Sequence, residues 1–270
     1  MVIFLIKISP DCILSDNIYD TIQKQGRLMS LGCLIVPEKP LLNRLRRKTI
    51  ITGHYGSGKT EFAVSLAMLL RSEEIYARSA LIDLDIINPY FRSREQRELL
   101  ENAGVIIYGS AFEYESTAEL PALSANLRAP LEDGSCRVIV DTGGNDAGAL
   151  VLNQFTKYFL DDETTVLAVV NANRPDTSDL DSAIEHIAAI EFITKLTVDA
   201  IINNTHLLHE TTTADIIKGY KLCEEIFKRT GKYILCTCYP DGIADPDELT
   251  EITDNLMPLG LYMRPTWLDI

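Results

Sequence analysis

No stretch of the 270-residue sequence approaches the roughly 20 consecutive apolar residues that a membrane-spanning helix requires. The opening MVIFLIKISPDC is short and apolar, is broken by Lys7, and lacks the basic lead-in and long apolar region of a secretory signal. A cytoplasmic chain with no membrane attachment is expected. Cysteine is sparse and scattered: Cys12, Cys33, Cys136, Cys223, Cys236 and Cys238 contain no C-x-x-C pair, which argues against a disulfide framework or a structural zinc site. Cys236 and Cys238 alone are close, on one face of a candidate strand. A metal role there would need further ligands, whereas two small core residues explain the pair equally. Positive charge is also scarce. With 25 Lys and Arg against 39 Asp and Glu, the net charge is −14, the wrong sign for a protein that grips nucleic-acid phosphates. One basic run stands out, from Lys39 to Lys48, and it reads as a solvated linker or as a contact for an acidic membrane or partner.

What is present is an ordinary globular composition, 46% hydrophobic and 24% charged, in a length that suits one large α/β domain. Residues 1–47 have weak periodicity and are set apart as an N-terminal extension, with Met29 as an alternative start; the domain is taken as 48–270. From Lys48 onward, apolar runs of strand length alternate with helical patterns. Strands are predicted over Thr49–Thr52, Ser79–Asp83, Val105–Tyr108, Arg137–Asp141, Thr165–Asn171, Ala200–Asn203 and Tyr233–Thr237. Helices are predicted over Lys59–Arg71, Ser93–Ala103, Ala147–Phe159, Asp179–Phe192, Ala214–Arg229 and Asp247–Met257, with a shorter one at Pro121–Leu127. The strand runs are continuously apolar, as in parallel strands covered on both faces. Alternation of this kind gives an open, mostly parallel sheet with helices on both faces, and places ligands beyond the carboxyl ends of the strands.

Residues 53–60 read GHYGSGKT, which fits G-x-x-x-x-G-K-[ST] with an apolar strand before it and a helix after it. Gly53, Gly56 and Gly58 let the backbone turn its N–H groups toward phosphates, and the following helix N-terminus adds partial positive charge. Tyr55, Ser57 and Glu61 complete the expected contact segment. Lys59 is assigned to the terminal phosphates and Thr60 to Mg²⁺. The second strand ends in LIDLD. Asp85 is the better candidate for catalysis and for metal, while Asp83 reads as either a strand-end structural residue or a helper. Behind them, Asn88, Arg92 and Arg94 could sense a phosphate, grip a partner or pair locally. The fourth strand ends in DTGG, with Asp141 expected to hold Mg²⁺ through water and Gly143 and Gly144 allowing close approach. After the sixth strand, Asn203 and Asn204 have amides able to pair with a purine edge, and Asn203 is the chosen candidate. No N-K-x-D tetrad follows, so ATP is expected rather than GTP.

GHYGSGKT, the Asp83–Asp85 DLD, the Asp141–Gly144 DTGG and Asn203 together resemble the MinD/ParA/CobQ-like (SIMIBI-class) branch of P-loop proteins, over about residues 48–258. A second resemblance, to uncharacterised bacterial proteins with GHYGSGKTE and NPYFRSRE-like text, names no process. The family resemblance implies an ATP- and Mg²⁺-dependent switch that hydrolyses slowly, homodimerises and acts on a protein partner. A small-molecule kinase or an ATP-dependent ligase is the alternative, with an acceptor pocket at Tyr90–Arg94, Tyr114–Pro121 and Asn171–Pro175. A scaffold that binds nucleotide without turnover is a third. Many members carry a cross-dimer lysine where this chain has His54. The sequence also lacks a basic amphipathic C-terminal helix for membrane binding.

Overall fold

The computed structural model describes residues 43–72, 75–85, 96–109, 127–144 and 146–263. Residues 1–42 of the expected 1–47 extension, the loop holding Asn88, Arg92 and Arg94, and nearly all of the short helix at Pro121–Leu127 lie outside the described residues; residues 127–132 are helical. Eight strands form one sheet: β1 (Lys48–Gly53), β2 (Arg78–Asp83), β3 (Val105–Tyr108), β4 (Cys136–Asp141), β5 (Thr164–Val170), β6 (Ala200–Asn203), β7 (Tyr233–Pro240) and β8 (Leu256–Leu259). Their spatial order is β3-β2-β4-β1-β5-β6-β7-β8 and every pairing is parallel. The helices are α1 (Lys59–Ser72), α2 (Arg97–Asn102), α3 (Asp146–Asn153), α4 (Leu180–Thr194), α5 (Thr213–Thr230) and α6 (Pro246–Leu249). This is the expected α/β arrangement, an open parallel sheet with helices on both faces.

Residues of β1, β4 and β5 are buried throughout, because helices cover both faces. Neighbours along a strand point to opposite faces. Ile51, Leu81 and Ile139 therefore pack with Phe62, Leu66 and Leu70 of α1, while Ile50, Ile82 and Val138 pack with Leu152 of α3, Ile187 of α4 and Ile226 of α5. Each fully buried large side chain of this kind contributes about 1.5–3 kcal/mol. No helix among the described residues is long and apolar enough to cross a membrane.

Three expectations need correction. The first is the basic run, whose C-terminal half is not a solvated linker. Arg46 donates to Thr164 O, Arg47 pairs with Glu163 and with carbonyls at Leu131, Asp133 and Cys136, and Lys48 pairs with Asp161. The buried side chains of Arg47 and Lys48 thereby find carbonyl and carboxylate partners at the amino end of the sheet, as buried cations require.

The second concerns Asp247–Met257, where the helix stops at Leu249 and the chain returns as β8. The acidic stretch has helix-like composition, but Met257 and Leu259 bury on the α1 face of the sheet, and an edge strand tolerates Pro258. Pairing with β8 also carries β7 on to Pro240, past the expected Thr237.

The third concerns Ala147–Phe159, where helix α3 ends at Asn153. Gln154 and Phe155 then form three-residue bonds to Val151 and Leu152, and a single 3-10 turn covers Thr156–Tyr158.

Candidate functional site

The register brings three strand ends together. Ile51 of β1 and Asp83 of β2 both lie opposite Asp141 of β4. The chain moves from β1 to one side of the sheet, returns to β4 beside it, and only then builds the other side. The reversal at β1 opens a crevice outside the carboxyl ends.

The loop Gly53–Gly58 crosses that crevice. Ser57 N donates to His54 O at 3.1 Å, and Phe62 N makes the first helical bond of α1 to Gly58 O at 3.0 Å. The amides of the first turn of α1 therefore face the loop. Gly58 has φ +82°, and a Cβ there would lie 2.4 Å from Asn204 Nδ2, so both the turn and the packing require glycine. Gly144, after β4, is equally constrained: a Cβ would lie 2.6 Å from both Lys59 Nζ and Tyr55 N.

Lys59, the first residue of α1, is buried and donates to His54 O at 3.0 Å. Burial lowers its pKa, and the carboxylates of Asp141 and Asp85 act against that. Asp141 is fully buried. Burial pushes its pKa up to about 8, aided by the charge of Asp83, while Lys59 and the Thr60 hydroxyl pull the other way. Asp83 and Asp85 are buried too, and Asp83 Oδ1 accepts the Asp85 amide at 3.0 Å. Three buried carboxylates thus end near one ammonium group. Among the described residues no three acidic, His or Cys side chains converge on one metal position, so the donors open to a divalent cation are the Thr60 hydroxyl and the carboxylates beside it.

A cavity of about 440 Å³ adjoins Lys59 and Asp85. Its lining combines Gly56, Gly58, Lys59, Thr60 and Asp85 with the apolar residues Leu208, Pro240, Leu259, Leu261 and Met263. Leu208 (φ +58°) and Leu261 (φ +50°) hold left-handed backbone conformations that non-glycine residues rarely adopt and that cluster at binding sites.

The structure sorts the sequence candidates. Gly56, Gly58, Lys59, Thr60 and Asp85 share this cavity with Tyr55, which is exposed. Gly53 lies at the end of β1, pressed against Val169 O. Ser57 is buried, and its Oγ has no hydrogen-bond partner among the described residues.

Two assignments change. Asn203 does not line the cavity. It is fully buried, donates to Ile216 O at 3.0 Å and accepts Thr205 N, and so fastens α5 to β6. Asn204 is the residue that faces the loop, donating to Ser57 O at 2.8 Å. Glu61 borders the cavity, but its carboxylate accepts the amides of Tyr262 and Met263 and so fixes the segment after β8. Burial raises the Glu61 pKa, against the effect of those two bonds.

Two further residues line the cavity: Arg174, within the Asn171–Pro175 loop expected to help build an acceptor pocket, and His206. His206 was not singled out from sequence, and its available signal was its place in the loop after β6. His206 has its Nε2 fully enclosed and without a hydrogen-bond partner among the described residues, and burial followed by the charge of Arg174 pulls its pKa down to about 4. His54 lies against its own chain, with Nε2 3.4 Å from Asp176 Oδ2 and its ring 5.1 Å from that of His186. Cys236 and Cys238 are buried as free thiols, and burial pushes the Cys238 thiol well up, away from the thiolate that a metal would bind. Of the loops proposed to build an acceptor pocket, Tyr90–Arg94 and Tyr114–Pro121 lie outside the described residues.

No family model matches the chain, and no curated protein does. Solved structures of similar fold include the signal recognition particle receptor FtsY from Elizabethkingia anophelis (19% identity, 73% of this chain and 62% of that one, TM-score 0.45). They also include the cell division protein FtsY from Thermotoga maritima (18%, 69% and 59%, TM-score 0.47). A third is chloroplast FtsY from Physcomitrella patens (17%, 73% and 63%, TM-score 0.47). The chain spans about three fifths of the length of these structures. Identities and scores this low assign this chain no function.

Proposed function

We propose that the chain binds ATP with Mg²⁺ and hydrolyses it slowly, as a MinD/ParA/CobQ-like nucleotide switch that acts on a protein partner in the cytoplasm. The observation that carries this reading is the buried cluster of Lys59, Asp83, Asp85 and Asp141 around the Gly53–Thr60 loop. Lys59, now bonded to His54 O, is the ammonium that would turn to the terminal phosphates, with the amides of the loop and of α1 holding the remaining oxygens. Thr60, Asp85 and Asp141 are the residues that would hold Mg²⁺, which supplies neutralisation of phosphate charge. Asp85 would orient the attacking water, and the dry setting strengthens each of these interactions.

Support for ATP over GTP comes from the cavity lining. Guanine presents an N1–H and N2–H₂ donor pair that a carboxylate reads best. Of the two carboxylates that line the cavity among the described residues, Asp85 is assigned to Mg²⁺ and Glu61 has both oxygens bonded to the Tyr262 and Met263 amides. Unpaired donors in a dry slot disfavour binding. His54, which lies beside Asp176 and His186 of its own chain, lacks the fixed charge of the cross-subunit lysine that many members carry.

The test is steady-state hydrolysis of ATP and GTP by the purified protein with Mg²⁺, alone and beside Asp85→Asn. Slow turnover of ATP in preference to GTP, reduced at least about 100-fold in the variant, is expected. Equal turnover of both nucleotides, or rapid turnover of ATP that depends on a small-molecule acceptor, would overturn the reading.

A further inference from the structure

Arg174 follows β5 in a loop that is braced from several directions. Its own amide donates to Asn171 O at 3.1 Å, and the Thr177 hydroxyl donates to the same carbonyl at 2.7 Å. The neighbouring Asn173 is held twice by α5: its Nδ2 donates to Asp215 at 2.9 Å, and its Oδ1 accepts from Lys218 at 3.0 Å. Lys218 also binds Ala172 O at 3.0 Å. Asp215 is itself fixed in the capping box at the start of α5 with Thr212. The first turn of one helix therefore sets the position of this loop.

From that loop the Arg174 side chain reaches the middle of the phosphate loop. Its Nε donates to Gly56 O at 2.9 Å, and a Cβ on Gly56 would lie 3.0 Å from the same atom. Arg174 and Lys59 line the same cavity. Among the described residues it has no carboxylate partner: the ion pairs there involve other cations, and Asp176, two residues on, lies against His54. A guanidinium presented to a binding cavity with one nitrogen engaged and no counter-charge is a preformed anion site, and its planar fork suits phosphate oxygens.

We propose that Arg174 is a second phosphate-binding cation of this site, delivered from the β5–α4 connection and acting with Lys59 on the β- and γ-phosphates of the bound nucleotide. The inference rests on the nucleotide reading above. The Asn173–Asp215–Lys218 network is its positioning device, and it makes the first turn of α5 part of the site although no residue of that turn lines the cavity.

The experiment is calorimetric titration of Mg·ATP and of AMP into the wild-type protein and into Arg174→Ala, Arg174→Gln and Arg174→Lys, with a thermal melt of each ligand-free protein. The variants are expected to melt with the parent. Arg174→Ala and Arg174→Gln should weaken Mg·ATP by roughly 10- to 100-fold and AMP by less than about twofold, while Arg174→Lys should retain part of the difference. Gln can still donate to Gly56 O but has no charge, so parental ATP affinity in Arg174→Gln would overturn the proposal and leave Arg174 as a brace for the loop. Equal losses for ATP and AMP would overturn it as well. If the wild type binds neither ligand, the nucleotide reading itself fails; ATP binding that Lys59→Ala abolishes and Arg174→Ala does not alter would sink the Arg174 assignment alone.

Discussion

Asn203 and Asn204 are adjacent, chemically identical and differently employed. The strand end points one amide into the packing between β6 and α5 and the other at the phosphate loop. Asn203→Ala is therefore expected to lower unfolding free energy by about 1–3 kcal/mol in denaturant titrations, since it leaves the Ile216 carbonyl and the Thr205 amide without their partner. Asn204→Ala should instead weaken Mg·ATP by roughly fivefold, because Ser57 O is no longer held. Reversed effects would return base contact to Asn203. His206 offers a pH-dependent check. Its folded pKa of about 4 lies below that of the unfolded chain, so the unfolded state binds the extra proton and stability falls as pH drops from about 6.5 toward 4. In His206→Gln the pH dependence of the melting temperature over that window should flatten; an unchanged slope would show that His206 is not held neutral by the fold.

At the scale of elements, the parallel strands were legible because each is a continuous apolar run, and the turn from β1 into α1 was legible because its glycines and Lys59 sit between such a run and a helical pattern. β8 was not. Its four residues carry a proline and follow an acidic stretch with helical composition, and they become a strand only because β7 offers an open edge. The dual use of Glu61 was equally hidden, since the bonds that engage its carboxylate come from amides some 200 positions away in the chain. Those bonds make a direct prediction: in Glu61→Ala, the Tyr262 and Met263 amides should lose hydrogen-exchange protection while those of α1 keep theirs. Retained protection would show that the segment after β8 is held by other contacts. Gly219 marks another long-range constraint, as a Cβ there would lie 1.9 Å from Thr205 Oγ1 and 2.3 Å from Asn203 Oδ1. Gly219→Ala should push α5 off β6 and destabilise by about 1–3 kcal/mol or more, read by thermal melt.

Across the whole molecule the two ends of the sheet divide the work. The amino end holds Arg47 and Lys48 in pairs whose residues do not line the cavity, and the carboxyl end gathers Asp83, Asp85 and Asp141 near the single ammonium of Lys59. Asp161→Asn should strand the buried Lys48 ammonium and cost about 2–4 kcal/mol of stability while leaving nucleotide affinity unchanged. A loss of affinity without a loss of stability would contradict that division. The carboxyl end should behave in the opposite sense, gaining stability when phosphate and cation arrive. The most direct measurement is a calorimetric titration of Mg·ATP into the wild-type protein and into Lys59→Ala. Saturable binding by the parent and a loss of at least about 100-fold in the variant are expected; parental affinity in Lys59→Ala, or no binding by either protein, would contradict the assignment of Gly53–Thr60 as the phosphate-binding loop.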